Sequence, residues 1–390
     1  MSKEQQKDYN QKYSLEENKI ALEQSQYTTK TNRNKKGNGQ GDILGIHHVT
    51  AITSDVQRNI DFYTSNLGLR LVKLTVNQDD PTSYHLYYGD ELGHPGTILT
   101  FFHWPNIPRG DRGIGEVSAV SFLVPASSVS YWVDRFKDKK IEFRGPYKRF
   151  ENEEVITFND PDGLELELVA HRSAEVRSAS VWKEGPIPAK QAIRGFYSVT
   201  LSEDRYERTA SVLTDELGFI PTHQDGTRFR YEIPARSPSS NQEEENLSGA
   251  NIVDVLFLPY ASQAAIGTGS VHHVAWRTPT DEQQKMLRKN ILKAGLNATP
   301  IIDRVYFHSV YFHEPGGVLF EIATNPPGFT IDEKAEELGT HLMLPSWLES
   351  IRNKLEKFLP HVSLPIKEKD NGDYQTKNDN NVNKRVLKVK

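Results

Sequence analysis

The sequence predicts an α+β chain built from four β-α-β-β-β modules. A strand-like opening recurs four times, as GIHHVTA near Gly45, EVSAVSF near Val117, GFYSVTL from Gly195 and VHHVAWR after Ser270. Each opening leads into one stretch of helical period and then into further strand-like runs, so all four copies share one order. The closing phrases PDGLELEL and PGGVLFEI align directly, which places Glu167 in the second module where Glu321 stands in the fourth.

In the first module the strand from Gly45 is followed by a helix opened by Ser54 and Asp55. Val56, Ile60, Tyr63 and Leu67 recur at helical spacing and Gly68 stops it. Strands are expected over 70–76, 83–88 and 97–103, separated by the turn-prone QDDPT and DELGHPG. The second module starts at Val117, and its helix is expected to be capped by Ser127 with Val129, Trp132, Val133 and Phe136 turned inward. The third begins at Gly195, with a helix from Asp204 carrying Tyr206, Ala210, Leu213 and Leu217 and ending at Gly218. The fourth begins at Ser270, with a helix opened by Thr280 carrying Leu287, Ile291 and Ala294 and ending at Gly295. A single unit leaves one face of its sheet open, so pairs of units should close around a shared cleft. Residues 1–41 and 366–390 are too polar to offset the entropy of ordering them and are expected to be disordered. The pairs of modules are expected at 42–172 and 173–335, with a helical extension over 336–365.

The chain has 390 residues and a formal charge of -5 with both signs interspersed, enough for two cores and without the basic excess of a nucleic-acid binder. No apolar run approaches the roughly 20 residues of a membrane span, and MSKEQQKDYNQKY lacks the apolar core of a secretory signal. A cytoplasmic protein is expected, with a small molecule as partner and homo-oligomerisation left open. Cysteine is absent, so only imidazole and carboxylate remain as strong metal ligands.

Glu321 lies among Val318, Leu319, Phe320 and Ile322, and a buried carboxylate without a partner costs several kcal/mol. A cation is its natural partner. The pairs His47-His48 and His272-His273 each open a β-branched run. His48, His273 and Glu321 are therefore the candidate metal ligands.

The repeated module, with a histidine in its first strand and a glutamate in its last, resembles the vicinal oxygen chelate superfamily, which includes glyoxalases, bleomycin-resistance proteins and extradiol dioxygenases. HHVT followed by YHLYYGDELGHPGT, then VHHVAW and YFHEPGGVLFEIAT, is similar to the hydroquinone ring-cleaving dioxygenases, over about Gly45 to Thr330. The resemblance implies two glyoxalase-like domains and one Fe(II) per chain, with Mn(II) as the alternative ion, held by His48, His273 and Glu321. It implies a dihydroxylated aromatic and dioxygen as substrates, and it places His47, Thr50, His272, Arg304 and Tyr311 in the pocket. His47, His272, Arg304 and Tyr311 would take catalytic roles, and Thr50, Arg304 and Tyr311 would contact substrate. Strand alternation argues otherwise for two of them: neighbours point to opposite faces, so His47 and His272 turn away from the metal unless the strands are irregular.

Two alternatives stand beside the dioxygenase. A glyoxalase-like isomerase or lyase typically needs a fourth protein ligand, which the first module does not offer in register. A non-enzymatic aromatic- or antibiotic-binding resistance protein would lack the complete ligand set. Ala119 and Ser198 align with His273 and His48, so a site joining the first and fourth modules would leave the second and third with only Glu167 of the ligand pattern. One metal per chain is expected.

Overall fold

The computed structural model describes residues 42–176, 181–234, 250–365 and 384–386. The expected disorder of 1–41, and most of that expected of 366–390, falls outside these residues, as does the SPSSNQEEENLSG segment.

The first module comprises β1 (Ile46–Thr53), α1 (Val56–Asp61), β2 (Arg70–Val76), β3 (Tyr84–Gly89) and β4 (Ile98–His103). The second comprises β5 (Glu116–Val124), α2 (Val129–Asp138), β6 (Phe143–Arg149), β7 (Glu153–Asn159) and β8 (Glu165–Ala170), followed by the short α3 (Ser173–Val176). The third comprises β9 (Phe196–Glu203), α4 (Tyr206–Ser211), β10 (Ile220–Asp225), β11 (Arg228–Glu232) and β12 (Ile252–Phe257). The fourth comprises β13 (Val271–Thr278), α5 (Asp281–Lys293), β14 (Ile302–Asp303), β15 (His308–His313) and β16 (Leu319–Thr324). The four-module α+β reading is the observed architecture.

Two eight-stranded sheets result, ordered β14-β15-β16-β13-β1-β4-β3-β2 and β10-β11-β12-β9-β5-β8-β7-β6. The first joins modules one and four through antiparallel β1 and β13, and the second joins modules two and three through β5 and β9. Each sheet thus takes one module from either half of the chain. Fully buried aromatics such as Trp276, Phe320, Trp132 and Phe136 pack beneath the strands, each contributing about 1.5–3 kcal/mol by leaving water.

The helices begin where local chemistry satisfies their free N–H groups. Asp55 accepts from the Arg58 N–H and Thr280 from the Gln283 N–H, as the sequence indicated. Two starts differ from expectation. Ser127 is exposed, and α2 follows a short turn that ends at Ser128, whose hydroxyl donates to the Pro125 carbonyl. The third helix starts at Tyr206 rather than Asp204. Of the side chains expected inward, Val129 and Val133 are half-buried, because α2 presents a narrow stripe to the sheet, and Ala294, expected on the fourth helix, is its exposed C-cap. Both α1 and α4 end in a π-turn, over Phe62–Asn66 and Val212–Glu216, and the first of these turns buries Phe62 and Tyr63 side by side.

Beyond the fourth module the chain returns to the first. Lys73 on β2 is fully buried, and its ammonium donates to Asp332 Oδ1 (2.6 Å), to Glu333 and to the Phe329 carbonyl (3.2 Å). This ion cluster holds 329–333 against Tyr87, Tyr306 and Phe307. The extension then forms a tight turn over Ser346–Ile351 running into α6 (Arg352–Phe358), and β17 (Ser363–Pro365) pairs with β18 (Lys384–Val386).

Candidate metal centre

The central strands of the first sheet are irregular in one decisive respect. The β1–β13 ladder pairs Ile46 with Trp276 and then His48 with Ala275, skipping His47, and it pairs Thr50 with His273 and then Ala51 with Val271, skipping His272. Each first histidine of a pair therefore sits in a bulge, where alternation between faces is broken. His47 Nδ1 lies 3.0 Å from His48 Nδ1, and His272 Nδ1 lies 2.7 Å from His273 Nδ1.

The second histidines turn their other nitrogens toward each other. His48 Nε2 and His273 Nε2 are 3.2 Å apart, and Glu321 Oε2 lies 3.2 Å from the first and 3.0 Å from the second. Glu321 is fully buried on β16 with Oε1 accepting from Ser309 Oγ at 2.5 Å, while Oε2 accepts no well-formed hydrogen bond despite that proximity. Among the described residues these three form the one group of His, Cys, Asp or Glu whose ligand atoms could share a metal ion.

The donor set fits a divalent cation. A metal–ligand bond of about 2.1 Å separates neighbouring ligands by about 3.0 Å in an octahedron and about 3.4 Å in a tetrahedron, and the observed 3.0 to 3.2 Å falls in that range. Protonation agrees. His47 Nε2 is 3.1 Å from the Thr324 carbonyl, which can only accept, so that nitrogen carries the proton. His47 Nδ1 is then the acceptor, His48 Nδ1 the donor, and His48 Nε2 is left with a lone pair aimed at the site. Burial keeps His47 neutral, well below its usual range. Burial also lowers His273, and burial with His273 nearby lowers His272 to about 3. Two neutral imidazoles and a carboxylate are what a divalent metal binds.

A cleft of about 410 Å3, its solvent mouth included, opens over His48 and His273. Its walls include His85, Tyr87, Phe102, Phe307 and Tyr311, with Arg304 and the segment from Thr75 to Asp79 at the rim. The Arg304 Nε donates to the Tyr311 hydroxyl at 3.3 Å, and the hydroxyl's acidity is suppressed by burial and by Glu321. Thr50 is fully buried and bonds Thr100 (2.8 Å) behind the wall; neither it nor His47 or His272 lines the cleft. His272 packs edge-on against Phe102 and Trp104.

Sequence reasoning missed His85 and Tyr87. The Tyr87 hydroxyl is 3.0 Å from His85 Nδ1, and His85 Nε2 is 2.9 Å from Thr100 Oγ1, which continues to Thr50. Their signal was the i, i+2 spacing in YHLYYG, which puts both on one face of β3.

Residues 45–168 match the family described as the Glyoxalase/Bleomycin resistance protein/Dioxygenase superfamily. The chain is 41% identical over 318 residues to MhqO of Bacillus subtilis, named as a ring-cleaving dioxygenase, covering 81% of this chain and 96% of that protein. The chain belongs to this superfamily. Within it, the chlorohydroquinone/hydroquinone 1,2-dioxygenase of Sphingobium indicum is 32% identical over 321 residues, covering 80% and 95% of the two chains. A crystal structure of a Bacillus subtilis protein described as a dioxygenase superposes with a TM-score of 0.75 at 39% identity, covering 82% of this chain and 97% of that one. The glyoxalase-like fold and the ring-cleaving character of these relatives agree with the reading from the repeated modules.

Proposed function

We propose that the chain is an Fe(II)-dependent, extradiol-type ring-cleaving dioxygenase acting on a hydroquinone or related dihydroxylated aromatic. The observation that carries this reading is the convergence of His48, His273 and Glu321, with both histidines lining an aromatic-walled cleft. These three residues would hold the metal, with His47 and His272 positioning the two imidazoles. Fe(II) held there would supply a redox-active Lewis acid, the usual use of a two-histidine, one-carboxylate set.

The remaining steps fall to the protein. Phe102 and Phe307 flank the triad and exclude water from a planar ring lying over it. The Tyr311 hydroxyl keeps its proton near neutrality and so donates a hydrogen bond to a substrate oxygen, with Arg304 fixing its orientation. Neutral His85 faces the ring and, bonded through both nitrogens, holds that wall in place. Both atoms of dioxygen end in the opened product, so one dioxygen is consumed per ring.

Anaerobic reconstitution with Fe(II), then oxygen-electrode assays with hydroquinones, catechols and 2-oxoaldehyde hemithioacetals, tests the proposal. Stoichiometric uptake with a dihydroxylated ring and a product heavier by 32 mass units is the expected result, since dioxygen contributes both its atoms. Hemithioacetal isomerisation without oxygen uptake would establish the glyoxalase alternative instead.

A further inference from the structure

The rim of the cleft carries an ion pair that the ring-cleaving chemistry does not need. Arg304 Nη1 and Nη2 donate to Asp79 Oδ1 (3.3 Å) and Oδ2 (3.1 Å), a fork-to-fork pairing between the first and fourth modules. Arg304 Nε reaches Tyr311, and the Arg304 carbonyl accepts from Gln78 Nε2 at 3.1 Å. Asn77, Gln78, Asp79, Arg304 and Tyr311 all line the same cleft.

Both partners are held in place from behind. The Asp79 N–H donates to the Asn77 side chain at 2.9 Å, and Asn77 is itself buried, so the turn after β2 aims the Asp79 carboxylate across the opening. On the other side Val305 adopts φ +72, a left-handed conformation costly for a β-branched residue. The Asp303 carboxylate, accepting from the Val305 N–H at 2.7 Å, pins that turn and with it Arg304. Strain at a cleft rim marks a backbone kept for what its neighbour does.

We propose that Asp79 is a specificity-determining residue: by occupying the guanidinium of Arg304 it disfavours ring substrates that carry an acidic substituent. The inference rests on the cleft being the site of a ring-bearing ligand. A carboxylate on the ring is the group Arg304 would otherwise grip bidentately, and with Asp79 in place it must displace that side chain or bind beside a like charge. A neutral ring meets neither cost. Asp79 is 73% exposed in its side chain whereas Arg304 is 18% exposed, so the pair is a solvent-screened contact and not a lock. Exposed pairs of this kind change equilibria by up to about fivefold.

Anaerobic calorimetric titration of the iron-reconstituted full chain with 2,5-dihydroxybenzoate and with hydroquinone tests this. Asp79→Asn should tighten binding of the benzoate by about fivefold while leaving hydroquinone unchanged. Asp80→Asn is the control, because Asp80 turns back onto Thr82 (2.6 Å) and shares the same net charge change without facing Arg304. It should leave both ligands unchanged. Equal effects of the two substitutions, equal effects of Asp79→Asn on both ligands, or no effect of it on the benzoate would overturn the proposal. The titration consumes no oxygen, so a chain that shows this discrimination yet never takes up oxygen sinks the dioxygenase reading alone.

Discussion

A single acceptor, the Thr324 carbonyl, fixes the protonation of His47 and through it that of His48. Replacing His47 by Phe keeps a flat ring against Phe307 but removes the acceptor for the His48 Nδ1–H. Such outer partners of metal-bound histidines typically affect affinity 10- to 100-fold, so Fe(II) or Co(II) titration under argon should show a loss of about that size, with the fold unchanged by circular dichroism. Glu321→Ala should abolish stoichiometric binding altogether. Tyr311→Phe makes the contrasting case. The substitution keeps the ring that packs edge-on against His273 and removes only the hydroxyl, so metal content should stay near wild type while turnover falls on the order of 10² to 10⁴, and a variant that instead lost its metal would return Tyr311 to a purely structural role. At this scale the ligand triad was legible because two doubled histidines and one carboxylate in an apolar run are rare and costly. His47 lies outside the cleft, away from the metal as strand alternation placed it, but alternation gives no sign of the bulge that brings its Nδ1 onto His48 Nδ1. His85 was hidden for the opposite reason: a histidine in an alternating aromatic strand looks like any half-buried wall residue.

Among elements, the module order and most strand limits followed from periodicity, whereas the π-turns did not. In α1 the spacing of Val56, Ile60, Tyr63 and Leu67 suits a continuous helix, but the Leu67 N–H reaches back to Phe62, and the widened turn buries Phe62 as well as Tyr63. Periodicity sees only one face, so it cannot register a turn that buries two neighbours. The junction of β9 with the β15–β16 turn carries a testable consequence of equal subtlety. Glu203 ends β9 almost fully buried, and burial, followed by the neighbouring carboxylates of Glu314 and Asp204, pushes its pKa up to about 8. Gly316 packs directly against it, and a Cβ there would meet the Glu203 carboxylate and force it to move. The folded protein thus holds a proton on Glu203 that the unfolded chain releases near its ordinary 4.5. A raised folded-state pKa gives stability that is fully present below the unfolded value and lost as pH rises through the folded one. Glu203→Gln should therefore match wild type near pH 4.5 and exceed it by a margin that grows toward pH 8, then levels off. Melting temperatures across that range decide it, and a margin independent of pH would show that Glu203 titrates normally.

On the scale of the whole molecule, the two sheets are pseudo-copies that diverged at the same positions. The bulges recur in the second sheet, where the β5–β9 ladder skips Ser118 and Tyr197 as the β1–β13 ladder skips His272 and His47. The bulge therefore belongs to the fold, and the imidazoles were placed on it. Ala119 and Ser198 occupy the ligand positions, and Arg230 and Asp254 hold the ladder positions of Tyr87 and Thr100. The result is an ionic core. Arg149 Nη1 donates to both oxygens of Glu167 (2.9 and 2.8 Å), its Nε donates to Glu153 (2.8 Å), and Arg230 joins Glu153 to Asp254. Glu167, the counterpart of Glu321, thus has a fixed cation already in its own sheet. A metal ion would have to displace a buried guanidinium to reach one carboxylate, with no imidazole to assist, which is unfavourable against water. Reconstituted protein should accordingly hold close to one iron per chain, and Glu167→Ala should leave that number unchanged. The same substitution takes from buried Arg149 one of its two carboxylate partners and leaves it Glu153 alone, so its melting temperature should fall below that of Glu321→Ala in the metal-free state. Metal analysis and calorimetry on both variants separate the two sheets: iron lost from Glu167→Ala, or two irons in the parent chain, would show that the second sheet also binds metal.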